Sequence, residues 1–194
     1  MKIARIAALS AALVLGGCAT GYTLVDAAKP VAVGDGVSVT TDIAWSKSPF
    51  PGFPGTLWTV DGEGLDMVMF FTGIESGKPI IETRNADKDQ IKVYQSSMVP
   101  DDVMELLGAN LGKVGYQQVR TANLRPAPFG TTPGFRFDLT MTSADGLEIK
   151  GVALGAQRGG KLDLILFIAP AEYYYGHYGD TVEKLFGSVQ VASN

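Results

Sequence analysis

Few side chains in this sequence are of a type and spacing that could do chemistry. There is a single cysteine, Cys18, and a single histidine, His177. One cysteine allows no disulfide within the chain and no cysteine metal cluster. One histidine allows neither a histidine-rich zinc site nor a His-Glu-x-x-His helix nor a two-histidine facial triad. A serine triad through His177 would need a Gly-x-Ser-x-Gly elbow, which the sequence does not contain. Gly73-Ile74-Glu75-Ser76-Gly77-Lys78 imitates a phosphate loop. It is one residue short of the required spacing, and Pro79 stands where a magnesium-binding Ser or Thr belongs. Asp87 and Asp89 lack the spacing and terminal Glu of a calcium loop and read as a solvated loop. No catalytic constellation emerges, and the expectation is a non-enzymatic protein without cofactor or metal.

One cluster stands out, Tyr173-Tyr174-Tyr175-Gly176-His177-Tyr178. Amphipathic aromatics beside a titratable imidazole suit a binding surface. Tyr174, His177 and Tyr178 are the candidate ligand or partner residues. The competing reading has alternate tyrosines covering the end of a sheet with wet hydroxyls, and Asp180 capping the helix that follows.

The lone thiol has a different explanation. Lys2 and Arg5 precede an apolar run from Ile6 to Leu15 broken only by Ser10, and the run is too short to span a bilayer, which takes about 20 helical residues. It ends in Leu15-Gly16-Gly17-Cys18, which resembles the lipobox of bacterial lipoproteins. The resemblance implies that residues 1–17 are a signal peptide, cleaved after Gly17, and that Cys18 carries the lipid. Ala19 rather than Asp follows the cysteine, which in Gram-negative lipoproteins implies the outer membrane, facing the periplasm. Stable anchoring takes two acyl chains or an equivalent second signal. A lipoprotein N-terminus carries more than two chains, so the membrane is one expected partner and an envelope protein another.

Removing residues 1–17 takes away two cations and no acid, which moves the net charge from −4 to −6. That balance argues against nucleic acid, whose binders carry a basic stripe. A hydrophobic fraction of 46% with 19% charged residues is that of a folded globule.

The elements that must position these residues follow from pattern. Residues 18–36 are small and polar and read as a flexible tether, with one domain over 37–194. Val37, Val39, Thr41 and Ile43 alternate, predicting a first strand over 37–45. Phe50 and Phe53, in a loop with three prolines, are expected to tuck onto the core. Strands at 57–60 and 66–72 flank the turn Asp61-Gly62-Glu63-Gly64. Met67 to Phe71 is apolar throughout, as in a strand buried on both faces. Pro100 with Asp101 and Asp102 opens a helix that Gly115 ends, and Val103, Leu106, Leu107, Leu111 and Val114 form its apolar stripe. Gly108 and Gly112 share a helical face and predict close approach to a sheet. Four strands follow at about 116–122, 134–142, 147–156 and 162–169, then a short helix at 180–186 and a last strand through Val189 and Val191.

This order predicts an α+β domain with helices packed on an antiparallel sheet. Over residues 95–191 it also resembles the PsbP-like fold, an α/β/α sandwich. That resemblance rests on Gly134-Phe135-Arg136-Phe137, the Gly160-Lys161 turn, the strand ending at Ala169-Pro170 and the closing helix before Ser188-Val189. It implies a non-catalytic binding or assembly role and supplies no functional residue. With the lipobox, the body also resembles small proteobacterial lipoproteins. The alternative function is a carrier of a small ligand or lipid, with a pocket between sheet and helix.

Overall fold

A hairpin with a buried carboxylate beneath its loop organises one side of the fold. β5 (Thr56–Thr59) pairs antiparallel with β6 (Met67–Ile74). Between them, Asp66 is fully buried and accepts hydrogen bonds from the backbone N–H of Val60 (2.7 Å) and Asp61 (2.8 Å) and from Thr59 Oγ1 (3.1 Å). Burial holds this carboxyl above the ordinary range despite the three donors, which pull it the other way. The computed structural model describes residues 21–49, 55–82 and 91–192. Cys18 and the lipobox, Phe50 and Phe53, and Asp87 and Asp89 lie outside the described residues.

The main sheet has eight antiparallel strands in the order β1-β4-β5-β6-β10-β9-β8-β7. Besides β5 and β6 these are β1 (Thr23–Val25), β4 (Trp45–Lys47), β7 (Gln117–Phe129), β8 (Thr132–Thr142), β9 (Glu148–Arg158) and β10 (Lys161–Pro170). A second sheet joins β2 (Val31–Gly34), β3 (Val37–Val39) and β11 (Gln190–Val191). The helices are α1 (Pro100–Lys113), a single turn α2 (Tyr174–His177) and α3 (Gly179–Gly187). The α+β class with helices on an antiparallel sheet is therefore observed.

Alternation along the central strands divides the core in two. Phe135, Phe137, Leu139 and Met141 of β8 and Leu162, Leu164, Leu166 and Ile168 of β10 face α1 through Val103, Leu106, Leu107 and Leu111. The opposite face offers Val152, Leu154, Ile165 and Phe167 to Val182, Leu185 and Phe186 of α3 and to Val33, Val37 and Val39 of the small sheet. Both faces of the central strands are dry, which is why β10 and residues 67–71 read as apolar runs.

Three expectations need correction. The tether expected over 18–36 is not one from Thr23 onward. Thr23, Leu24 and Val25 pair with Lys47, Ser46 and Trp45, and Val31–Gly34 pairs with β3. Strands of three and four residues are too short to show a period, so composition alone suggested a linker. The single strand over 37–45 is two strands in different sheets. Ser188 Oγ accepts from the Thr40 N–H (2.8 Å) and donates to the Thr40 carbonyl (2.7 Å), while Thr41 Oγ1 accepts from Trp45 Nε1 (2.8 Å). Those bonds take the chain out of one sheet and into the other. Finally, β7 runs seven residues past its expected end, through Pro126 and Pro128, because an edge strand tolerates residues that cannot donate to a neighbour.

The glycine pair of α1 divides. A Cβ at Gly108 would stand 3.4 Å from Thr121 Cγ2 of β7, whereas one at Gly112 would meet nothing within 4 Å. Only the first makes the close approach. Among the described residues no helix is long and apolar enough to cross a membrane.

Candidate functional site

The tyrosine run lies just past Pro170, where β10 ends and the chain turns across the sheet. The one-turn helix α2 fans its aromatics in different directions. Tyr173 is 59% exposed and stacks on the exposed His177 ring, with centroids 5.0 Å apart and an 18° tilt. Its Oη lies 3.3 Å from His177 Nδ1. Tyr174 is half-buried and packs its edge against Tyr173. Tyr178 is buried beside Trp45 and His177 and donates to Asp61 Oδ2 at 2.5 Å. Burial first, then that hydrogen bond, pushes its phenol far above the ordinary range, so it stays a donor.

Tyr174, His177 and Tyr178 are thus neighbours with different surroundings. His177 faces solvent, Tyr174 is shared between surface and core, and Tyr178 joins α2 to the β5–β6 loop. Asp180, expected to cap the last helix, makes no side-chain cap bond; it lies in the first turn of α3, where its charge still suits the helix dipole.

The adjacent tyrosine, not chosen from sequence, lines a cleft. Tyr175 stacks on Phe167 at 5.7 Å. With Val152, Gly179, Asp180, Val182 and Glu183 these rings enclose about 260 Å³ between the sheet and α3. The floor comes from Phe167 and Val152, paired across β10 and β9 and so on a single face of the sheet. Burial, then Asp138, raises the Tyr175 phenol.

The rim is held by ion pairs. Both Nη atoms of Arg136 grip the two carboxylate oxygens of Glu183, and its guanidinium lies 5.5 Å from the centre of the Phe186 ring. The hydrogen bond from Arg136, ahead of burial, draws the Glu183 carboxyl below its usual range. Arg125 pairs with Asp138 at 3.1 Å, and Asn123 donates to the other Asp138 oxygen at 2.9 Å. Arg136 and Glu183 are 47 residues apart, so no local spacing signalled them.

The imidazole's neighbours are the rings of Tyr173 and Tyr178, with the Tyr173 hydroxyl against its Nδ1, and the cleft joins an apolar floor to a rim that carries Asp180 and Glu183. Among the described residues no group of three His, Cys, Asp or Glu side chains gathers to hold a metal. No protein-family model matches the chain, and no curated protein matches it. Among solved structures, one similar chain is LpqN of Mycobacterium tuberculosis, described as involved in cell envelope biogenesis. It is 8% identical with a TM-score of 0.38, covering 92% of this chain and 88% of that one. At that score the likeness assigns neither fold nor role to this chain.

Proposed function

We propose that this is a lipid-anchored protein of the cell envelope, held at the outer membrane and facing the periplasm. Its domain binds an envelope partner rather than catalysing a reaction. The observation that carries the reading is Leu15-Gly16-Gly17-Cys18 after a short apolar run, with Cys18 the one thiol of the chain. Lipidation gives that thiol a role and removes it from catalysis. The exposed Tyr173–His177 stack supports the binding half, since aromatic rings offer large contact area at small entropic cost. The PsbP-like resemblance over 95–191, a family of mostly non-catalytic binding and assembly factors, agrees with it.

A second reading, a small-ligand carrier, is favoured by the cleft between sheet and α3. Its volume of about 260 Å³ falls just under the ~300–1,000 Å³ of typical drug-sized sites. A compact molecule fits a cleft of that size better than a lipid does.

One experiment in intact cells separates these readings. Cys18→Ser should abolish palmitate labelling and release the domain from the membrane fraction; persistent labelling overturns the anchor. A photo-crosslinker at Tyr173 in the lipidated protein should capture a specific envelope protein. A clean monomer, with a small molecule retained in its native mass spectrum, favours the carrier instead.

A further inference from the structure

The strand nearest the anchor sits at an outer edge of the main sheet, and little chain separates the two. β1 begins at Thr23 and pairs on one side only, with β4. Five residues after Cys18 can reach at most about 17–18 Å even when fully extended. A lipid on Cys18 therefore keeps the β1 edge close to the headgroups, with no long tether to let the domain turn away.

That edge has the surface such a position calls for. Leu24 is 67% exposed, and Tyr22, two residues earlier along the extended chain and so on the same side, is 43% exposed. Tyrosine with a wet hydroxyl and an apolar ring favours the membrane–water interface. The Tyr22 hydroxyl donates to Glu63 Oε1 at 3.0 Å, which fixes the ring against the β5–β6 loop. The same loop presents Val60 and Leu65, each more than a third exposed. On β4, Lys47 lies in register with Thr23, so alternation turns it to the opposite face of the sheet from Leu24, and it is no part of this surface.

We infer that the β1 edge, through Tyr22 and Leu24, rests on the bilayer in which Cys18 is anchored and fixes the domain's orientation there. The inference rests on the lipid-anchor reading above and adds a docking face to it. β9 lies five strand spacings away, so the Leu147 turn at its start is held about 24 Å further from that face.

Because lipidation consumes the only native thiol, a cysteine placed elsewhere can be labelled alone. The full chain with Leu24→Cys, and separately with Leu147→Cys, is purified with its lipid and labelled with an environment-sensitive fluorophore. Each is reconstituted into phosphatidylethanolamine–phosphatidylglycerol vesicles containing a headgroup nitroxide lipid. Quenching at position 24 several-fold stronger than at 147 is the expected result. Equal, weak quenching in protein that still carries palmitate overturns the docking face and leaves the anchor standing. Absence of palmitate removes the anchor and the docking face together. Disulfide formation between copies of unlabelled Leu24→Cys, without nitroxide quenching of the labelled protein, overturns the inference in favour of a second copy at this edge.

Discussion

Asn110 is polar, sits in the apolar stripe of α1 and is almost fully buried. Its Oδ1 accepts from the N–H groups of Ile80 (3.1 Å) and Ile81 (3.2 Å), and its Nδ2 donates to the Lys92 carbonyl (3.1 Å). One amide thus satisfies three backbone groups of the segment covering the α1 side of the sheet. Asn110→Ala leaves those groups dry and unpaired. The expected loss is about 1–3 kcal/mol, read from the denaturant midpoint; a change under a few tenths would show that water replaces the amide. Helical spacing from Val103, Leu106 and Leu107 puts this asparagine on the buried face, but nothing in sequence names its partners, which lie 18 to 30 residues away. The tyrosine run was legible as a cluster, but its division of labour was not. Chain direction after Pro170 decides that Tyr173 and His177 face outward, Tyr175 faces the cleft and Tyr178 the core.

At the scale of the element, α3 is one wall of that cleft. It is fastened by Arg136 to Glu183 and by Lys184 to Asp42 at 2.6 Å. Both carboxyls are drawn below their usual range, each first by the hydrogen bond from its cation. A lowered native pKa means stability that is complete above the unfolded value of about 4 and is lost as pH falls through the native one. Hydrogen exchange of the α3 amides should therefore accelerate below about pH 4 before the central strands respond. Glu183→Gln should weaken that pH dependence and loosen α3 at neutral pH. An α3 that opens only with global unfolding would contradict the assignment. The apolar stripe of α1, its Pro100 start and the alternation of β8 were readable because one face of each is dry. β1 and β2 were misread because their pairing, not their pattern, makes them strands, and β3 was read as part of a longer strand than it is.

Across the whole molecule, the small sheet is joined to the main sheet by charge as well as by packing. Asp163, the one polar residue in the otherwise apolar Leu162–Ala169, is fully buried. It accepts from Arg158 Nε at 2.6 Å and from the Gly73 N–H at 2.8 Å. Arg158 also donates to the carbonyl of Asp35, in the β2–β3 turn, at 2.9 Å, and Lys161 lies 3.6 Å from the Asp35 carboxylate. Gly73 has φ +68°, and a Cβ there would stand 2.7 Å from the Asp35 carboxylate, so only glycine fits. Arg158→Met leaves Asp163 buried without its cation. A loss of about 3–5 kcal/mol is expected, with faster hydrogen exchange in β2 and β3. A near-neutral result would mean that Asp163 takes up a proton at little cost.

By itself the sequence determined the class of fold, the extent of α1 and the four-strand meander, because burial imposes a period on any element with a dry face. It also determined that the chain holds one thiol and one imidazole, since these are matters of residue type. Only the tertiary structure decided which tyrosine lines the cleft, that Arg136 meets Glu183, and that the expected tether is folded into the sheet from Thr23. Those features come from residues distant in sequence, and chain closure rather than local pattern brings them together. The anchoring role proposed for the lone cysteine rests on its neighbours in the sequence. What the fold adds is how few residues separate it from the first strand.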